Sequence, residues 1–122
     1  MRGATILIIA GGLLLAGCSS SKLVTDLRQA DEPCRDQHFP DKTALVSCLA
    51  AHERPVWAQE EPSTLDLYDD YARKRQALAQ QRDQGSLSEE QYVKQLWALD
   101  HASRDQISER RKEEGIAEKS GS

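Results

Sequence analysis

Three residues, Gly85, Ser86 and Leu87, separate two long helical patterns, and so short a connection dictates antiparallel pairing. Ser63, with Asp66 three residues on, marks the start of the first pattern, although Glu or Gln is the favoured partner there. This helix is expected to run to about Gln84, and Gly85 suits the left-handed position that ends it. Ser88 with Gln91 is a capping box in its preferred form, and the second helix is expected to reach Glu114, with Gly115 closing it. Folding the chain about Ser86 brings Leu65 level with Ile107, Tyr71 near His101, Ala72 near Leu99 and Leu78 near Leu96. Leu87 packs beside Tyr92, and Arg75 comes level with Trp97, where it can stack on the indole. Asp69–Arg73, Asp70–Lys74, Glu90–Lys94 and Asp100–Arg104 are i,i+4 pairs in the favourable order.

The upstream part is shorter and more broken. Leu23, Val24, Leu27 and Ala30 fall on one helical face. Asp31, Glu32 and Pro33 are expected to interrupt it, with Pro33 opening a short turn over 33–38. Phe39 and Pro40 turn the chain, and Asp41 caps a helix over 41–53 that Pro55 stops. Runs of β-branched residues are nearly absent, so sheet is not expected. The expected fold is all-α, a short disulfide-linked helical hairpin (23–54) followed by a long antiparallel helical hairpin (63–114). Residues 55–62 are expected to be a Pro-rich linker and 115–122 a disordered tail.

Cys34-x-x-x-His38 and Cys48-x-x-x-His52 each place two metal-ligand types one helical turn apart, a plausible zinc set on residue type alone. Folding about Pro40 brings the two cysteines level but leaves His38 and His52 ten positions apart along the axis, about 15 Å. One ion cannot collect all four, so the expectation is a Cys34–Cys48 disulfide and no metal. Closing that loop is worth on the order of 3 kcal/mol in the chain-entropy model.

The beginning of the chain has a different character. Met1 and Arg2 precede an apolar run through Leu15, with no further charge until Lys22. This is the plan of a secretory signal, and the run is shorter than the roughly 20 residues a spanning helix needs. Leu15-Ala16-Gly17-Cys18 resembles the bacterial lipobox, in which small residues let a peptidase bind extended backbone and the cysteine thiol receives lipid. The resemblance covers only these first residues. It implies a signal peptide over 1–17, removed before Cys18, a lipidated tether over 18–22, and a membrane held through lipid on Cys18. Two or more acyl chains anchor stably where one does not. Ser19 after the cysteine implies export to the outer membrane, facing the periplasm, an oxidising space in which paired cysteines form disulfides. Residues 83–92 also resemble helix–turn–helix punctuation in many small bacterial proteins, uncharacterised proteobacterial lipoproteins among them. That supports the hairpin and says nothing about chemistry.

Composition narrows the function classes. The 16 Lys and Arg against 20 Asp and Glu give a formal net charge of −4, so a nucleic-acid partner is not expected. The adjacent acids Asp69 and Asp70 point to different faces and sit where a helix N-terminus favours negative charge. His101 has no nucleophile arranged beside it. No catalytic residue and no cofactor are therefore assigned. Trp57, between Pro55 and Pro62, is either folded back onto the hairpin or displayed to a partner, and packing is the favoured reading. Trp57, Tyr71 and Trp97 are the candidate partner contacts, since aromatic anchors dominate interfaces. Two helices with one apolar stripe bury little surface, and such scaffolds need a staple, a partner or self-association. The expected role is a non-enzymatic interaction or structural module that docks onto another envelope protein or onto itself. The alternative is a small-ligand or metal-binding periplasmic lipoprotein using the Cys/His module.

Overall fold

The computed structural model describes residues 21–115, and these form four α-helices with no strand among them. They are α1 (Ser21–Arg35), α2 (Lys42–Glu60), α3 (Leu65–Asp83) and α4 (Glu89–Glu114), with a 3-10 turn at Pro62–Thr64 between α2 and α3. The proposed signal peptide 1–17, Cys18 and residues 116–122 of the expected tail lie outside the described residues, while Ser21 and Lys22 of the expected tether are already helical.

Each helix packs mainly on its chain neighbour, α1 on α2, α2 on α3 and α3 on α4, all antiparallel. Cross-helix contacts fix the register. The Cys34–Cys48 disulfide joins one end of the α1/α2 pair, and Lys22–Glu60 lies at the other. Val46 meets Ala79, Glu53 meets Arg75, and Trp57 meets Tyr68 between α2 and α3. Arg82–Glu89, Leu78 beside Leu96, Tyr71–Asp100 and Arg110–Asp66 mark successive levels of the α3/α4 hairpin.

Local chemistry sets the helix ends. The Asp41 side chain accepts the Ala44 N–H at the start of α2. Asp83, at the end of α3, accepts the Lys42 and Thr43 N–H groups of the same start, so two carboxylates serve one N-terminus. Hydrogen bonding to Thr43 holds the Asp83 carboxyl below its usual range. Ser88 and Gln91 form the full capping box of α4. Gly85 and Gly115 take φ +84° and +73°, the left-handed helix ends read from the sequence. Ser63 does not cap α3; the 3-10 turn takes that place, and the Ser63 carbonyl accepts from Arg110 instead.

Two boundaries are corrected. α1 passes through Asp31, Glu32 and Pro33 without interruption, and α2 passes through Pro55 to Glu60, so most of the expected linker 55–62 is helix. A proline inside a helix frees the carbonyl four residues earlier. Pro33 and Gln29 are both exposed, as are Pro55 and Ala51, so both prolines stand on outer faces, where a freed carbonyl can be hydrated. Past Pro55, α2 buries Trp57 (9% exposed), whose indole N–H donates to Thr64 Oγ1 at 2.9 Å. Burying a residue of that size is worth ~3 kcal/mol, comparable to the proline penalty.

Candidate functional site: a groove between the first and last helices

The end helices of this array, α1 and α4, flank a groove whose floor is α2 and α3. Its cavity volume is about 610 Å³. Leu23, Leu27 and Asp31 lie one turn apart on α1 and supply one wall. Asp100, Arg104, Ile107 and Arg111 repeat at helical spacing on α4 and supply the other. Glu53 and Trp57, one turn apart, rise from α2; Tyr68, Tyr71 and Arg75 rise from one stripe of α3.

The floor is a connected polar network on an aromatic base. Trp57 stacks on Tyr68 with ring centroids 5.2 Å apart. The Tyr68 hydroxyl donates to Glu53 Oε1 at 2.9 Å, and Arg75 Nη2 donates to the same oxygen at 3.0 Å. The Arg75 guanidinium lies over the Tyr71 ring, 5.0 Å from its centroid, and the Tyr71 hydroxyl donates to Asp100 at 2.8 Å. Burial raises both phenols above their usual range, so they keep their protons and act as donors. Burial alone would lower the Arg75 pKa, but Glu53 and the tyrosines raise it further, so the guanidinium stays charged.

Asp31 completes the cluster from α1. Burial, then the hydrogen bond and charge of Glu53, push its carboxyl up to about 7. The cause is charge balance: Asp31 and Glu53 share the one buried guanidinium of Arg75, while Arg35, 3.8 Å from Asp31, is exposed and screened by water, so an added proton relieves the pair of carboxyls. Asp31 Oδ1 and Arg75 Nε are buried with no hydrogen-bond partner among the described residues. A proton carried by Asp31 accounts for the first, since a protonated carboxyl donates to Glu53 instead of only accepting.

The residues proposed from sequence separate into three groups. Cys34 and Cys48 are bonded as expected. His52 Nδ1–H donates to the Cys48 carbonyl at 2.9 Å and lies 3.5 Å from Cys34 Sγ. Cys34, Cys48 and His52 thus cluster within 4.8 Å, but the intact bond leaves no thiolate for a metal. His38 sits exposed in the turn after α1. Trp57 is in the core, which removes it from the candidate partner contacts, and Tyr71 is half-buried with its hydroxyl engaged by Asp100. Trp97 is 66% exposed and packs edge-on against His101, with ring centroids 4.1 Å apart. Arg75 does not stack on Trp97 as expected, because Glu53 of α2 takes it into the interior. Of the four helical ion pairs expected, Asp70–Lys74 forms; Asp69 pairs with Arg54 of α2, and Arg73 with Asp70. Glu53, and the buried roles of Asp31 and Arg75, escaped the sequence reading. The signal for Arg75 was present, since it lies at i+7 from Tyr68 and four before Ala79, a charge on the buried stripe of α3.

No protein-family model, curated protein or solved structure matches this chain.

Proposed function

We propose that this chain is an exported lipoprotein, cleaved before Cys18, held by lipid on that cysteine at the periplasmic face of the outer membrane, and acting as a non-enzymatic docking module for another envelope protein. The address rests on residues 1–19, and the Cys34–Cys48 bond suits an oxidising compartment. The docking role rests on one observation: α4 presents Val93 and Trp97, 51% and 66% exposed, one turn apart. α4 has 26 residues against 15 in α1, about 39 Å against about 22 Å. Neither side chain belongs to the buried clusters of the array. Surface Trp of this kind serves as an interface anchor.

Two measurements test the proposal separately. Cells fed labelled palmitate should label the wild-type protein and not Cys18→Ser, and the variant should leave the outer-membrane fraction. A photoreactive amino acid at position 97 should crosslink to an envelope protein in intact cells. Crosslinks only to a second copy would replace the foreign partner with self-association, and no crosslink at position 97 would refute docking through this face.

A further inference from the structure

We propose that the groove between α1 and α4 binds one anionic phospholipid, with an acyl chain along its apolar floor and the phosphate held between Arg28 and Arg104. The inference rests on the tether reading above and goes beyond protein docking.

Shape comes first. Trp57, Tyr68 and Ile107 form one buried cluster, and Leu23 and Leu27 of α1 pack against it only in part. Together they make an apolar strip along the lower half of the groove, with Leu23 and Leu27 half-buried at its α1 side. A cavity of about 610 Å³ falls within the range that holds one small ligand.

Charge fixes the kind of ligand. Arg28 on one wall and Arg104 on the other line the groove, both are exposed, and neither has an acidic partner among the described residues. Arg111, by contrast, is held by Glu61 in a two-pronged pair. Planar guanidiniums without carboxylate partners are suited to phosphate oxygens. Above them the Asp100 carboxylate, held by the Tyr71 hydroxyl, repels an anion, so the headgroup stops at the arginines and the acyl chain runs down toward Leu23 and Ile107.

Position then supplies the source. α1 begins at Ser21, three residues after Cys18, and three residues of extended chain reach at most ~11 Å. A lipid on Cys18 therefore keeps the Leu23 end of the groove close to the bilayer. The protein's own diacylglyceryl anchor has no phosphate and makes no use of the arginine pair, which favours a bilayer phospholipid as occupant.

The test uses the lipidated protein in phosphatidylcholine vesicles. One sample contains phosphatidylglycerol with a photoreactive group near the end of one acyl chain; another carries the same group on phosphatidylcholine. We expect label on peptides containing Trp57, Tyr68 or Ile107 from phosphatidylglycerol, falling on the order of tenfold with phosphatidylcholine and in the Arg28→Ala/Arg104→Ala variant. The melting midpoint of that variant is recorded alongside; both side chains are exposed and unpaired, so it should not move. The proposal is overturned by unlabelled floor peptides, by equal label from the two lipids, by unchanged label in the variant, or by floor residues crosslinking to a protein instead. Palmitate on Cys18 is read independently, so a lipidated protein with an unlabelled groove refutes the ligand site alone, and an unlipidated one refutes the address alone.

Discussion

Replacing Asp31 with Asn should remove a pH dependence that the wild-type fold carries between pH 5 and 8. The Asp31 side chain is 13% exposed, and its carboxyl is raised from 3.8 to about 7, first by burial and then by Glu53. The groups around it are Arg35 on its own helix, Glu53 on α2 and Arg75 on α3. A raised acid binds its proton more tightly in the folded chain than in the unfolded one. Folding stability is therefore greatest while both forms are protonated, declines as pH rises from about 4 to about 7, and levels off above that. At 1.36 kcal/mol per unit the ceiling is about 4 kcal/mol, and sharing of the proton with Glu53 makes roughly 2–4 kcal/mol the expected loss. Asp66, Asp83 and Glu89 are held below their ordinary range by hydrogen bonds to Arg110, Thr43 and Arg82, so their contributions are lost only as pH falls through the acid range. Half-buried Glu60, raised by hydrogen bonding to Asp26, acts in the same sense as Asp31. In Asp31→Asn a carboxamide N–H donates permanently to Glu53. Urea denaturation of the oxidised protein at pH 5, 6, 7 and 8 should show wild-type stability falling with pH, the Asn variant nearly level, and the variant ahead by roughly 2–4 kcal/mol at pH 8. A wild-type stability that is level or rises from pH 5 to 8, or a variant with the wild-type slope, refutes the charge-balance argument.

Other perturbations separate the remaining parts. Glu53→Gln removes the carboxylate that Arg75 and Tyr68 bond and leaves only Asp31 to balance the guanidinium, so it should cost about 3 kcal/mol in the same assay; Glu53→Gln/Arg75→Met should recover much of that loss, and no recovery would mean that the pair is not coupled. Cys34→Ser/Cys48→Ser opens a 14-residue separation and should cost about 3 kcal/mol, with amide exchange in α1 accelerating more than in α3 or α4. Gly85→Ala places a Cβ in open space at φ +84°, so its cost is backbone strain alone, about 1 kcal/mol by thermal melt. Trp57→Ala should cost about 3–5 kcal/mol, whereas Trp97→Ala should change stability by less than about 0.5 kcal/mol, as befits a buried and an exposed indole.

What could be read from the sequence was decided by local rules. Gly85, Gly115, Asp41 and the Ser88/Gln91 pair act within one turn of themselves, and each ends or starts a helix where its chemistry says. The Cys34–Cys48 bond and the levels Leu65/Ile107 and Leu78/Leu96 follow from counting along short connections, because a three-residue turn leaves no freedom of register. What propensity could not supply was the direction a side chain faces. Pro33 and Pro55 each cost a helical hydrogen bond wherever they stand, but whether the helix continues depends on whether the freed carbonyl finds water. Both prolines and the residues four before them lie on outer faces, which is a property of the packed array and not of the local sequence.

That single misreading at Pro55 also hid the groove. If α2 ends at residue 54 and a linker follows, Trp57 leaves the α2 face that carries Glu53, and the hairpin 63–114 is left to satisfy its own charges. Arg75 then has only Trp97 within reach. Once α2 continues to Glu60, Glu53 and Trp57 share a buried face one turn apart, Trp57 lands on Tyr68, and Glu53 comes under the Tyr68 hydroxyl and the Arg75 guanidinium. Asp31 follows in the same way, since it reaches Glu53 only because α1 also runs unbroken through its proline. The charged cluster, the proton it retains and the apolar strip below it are thus consequences of two helices that tolerate proline on their wet faces.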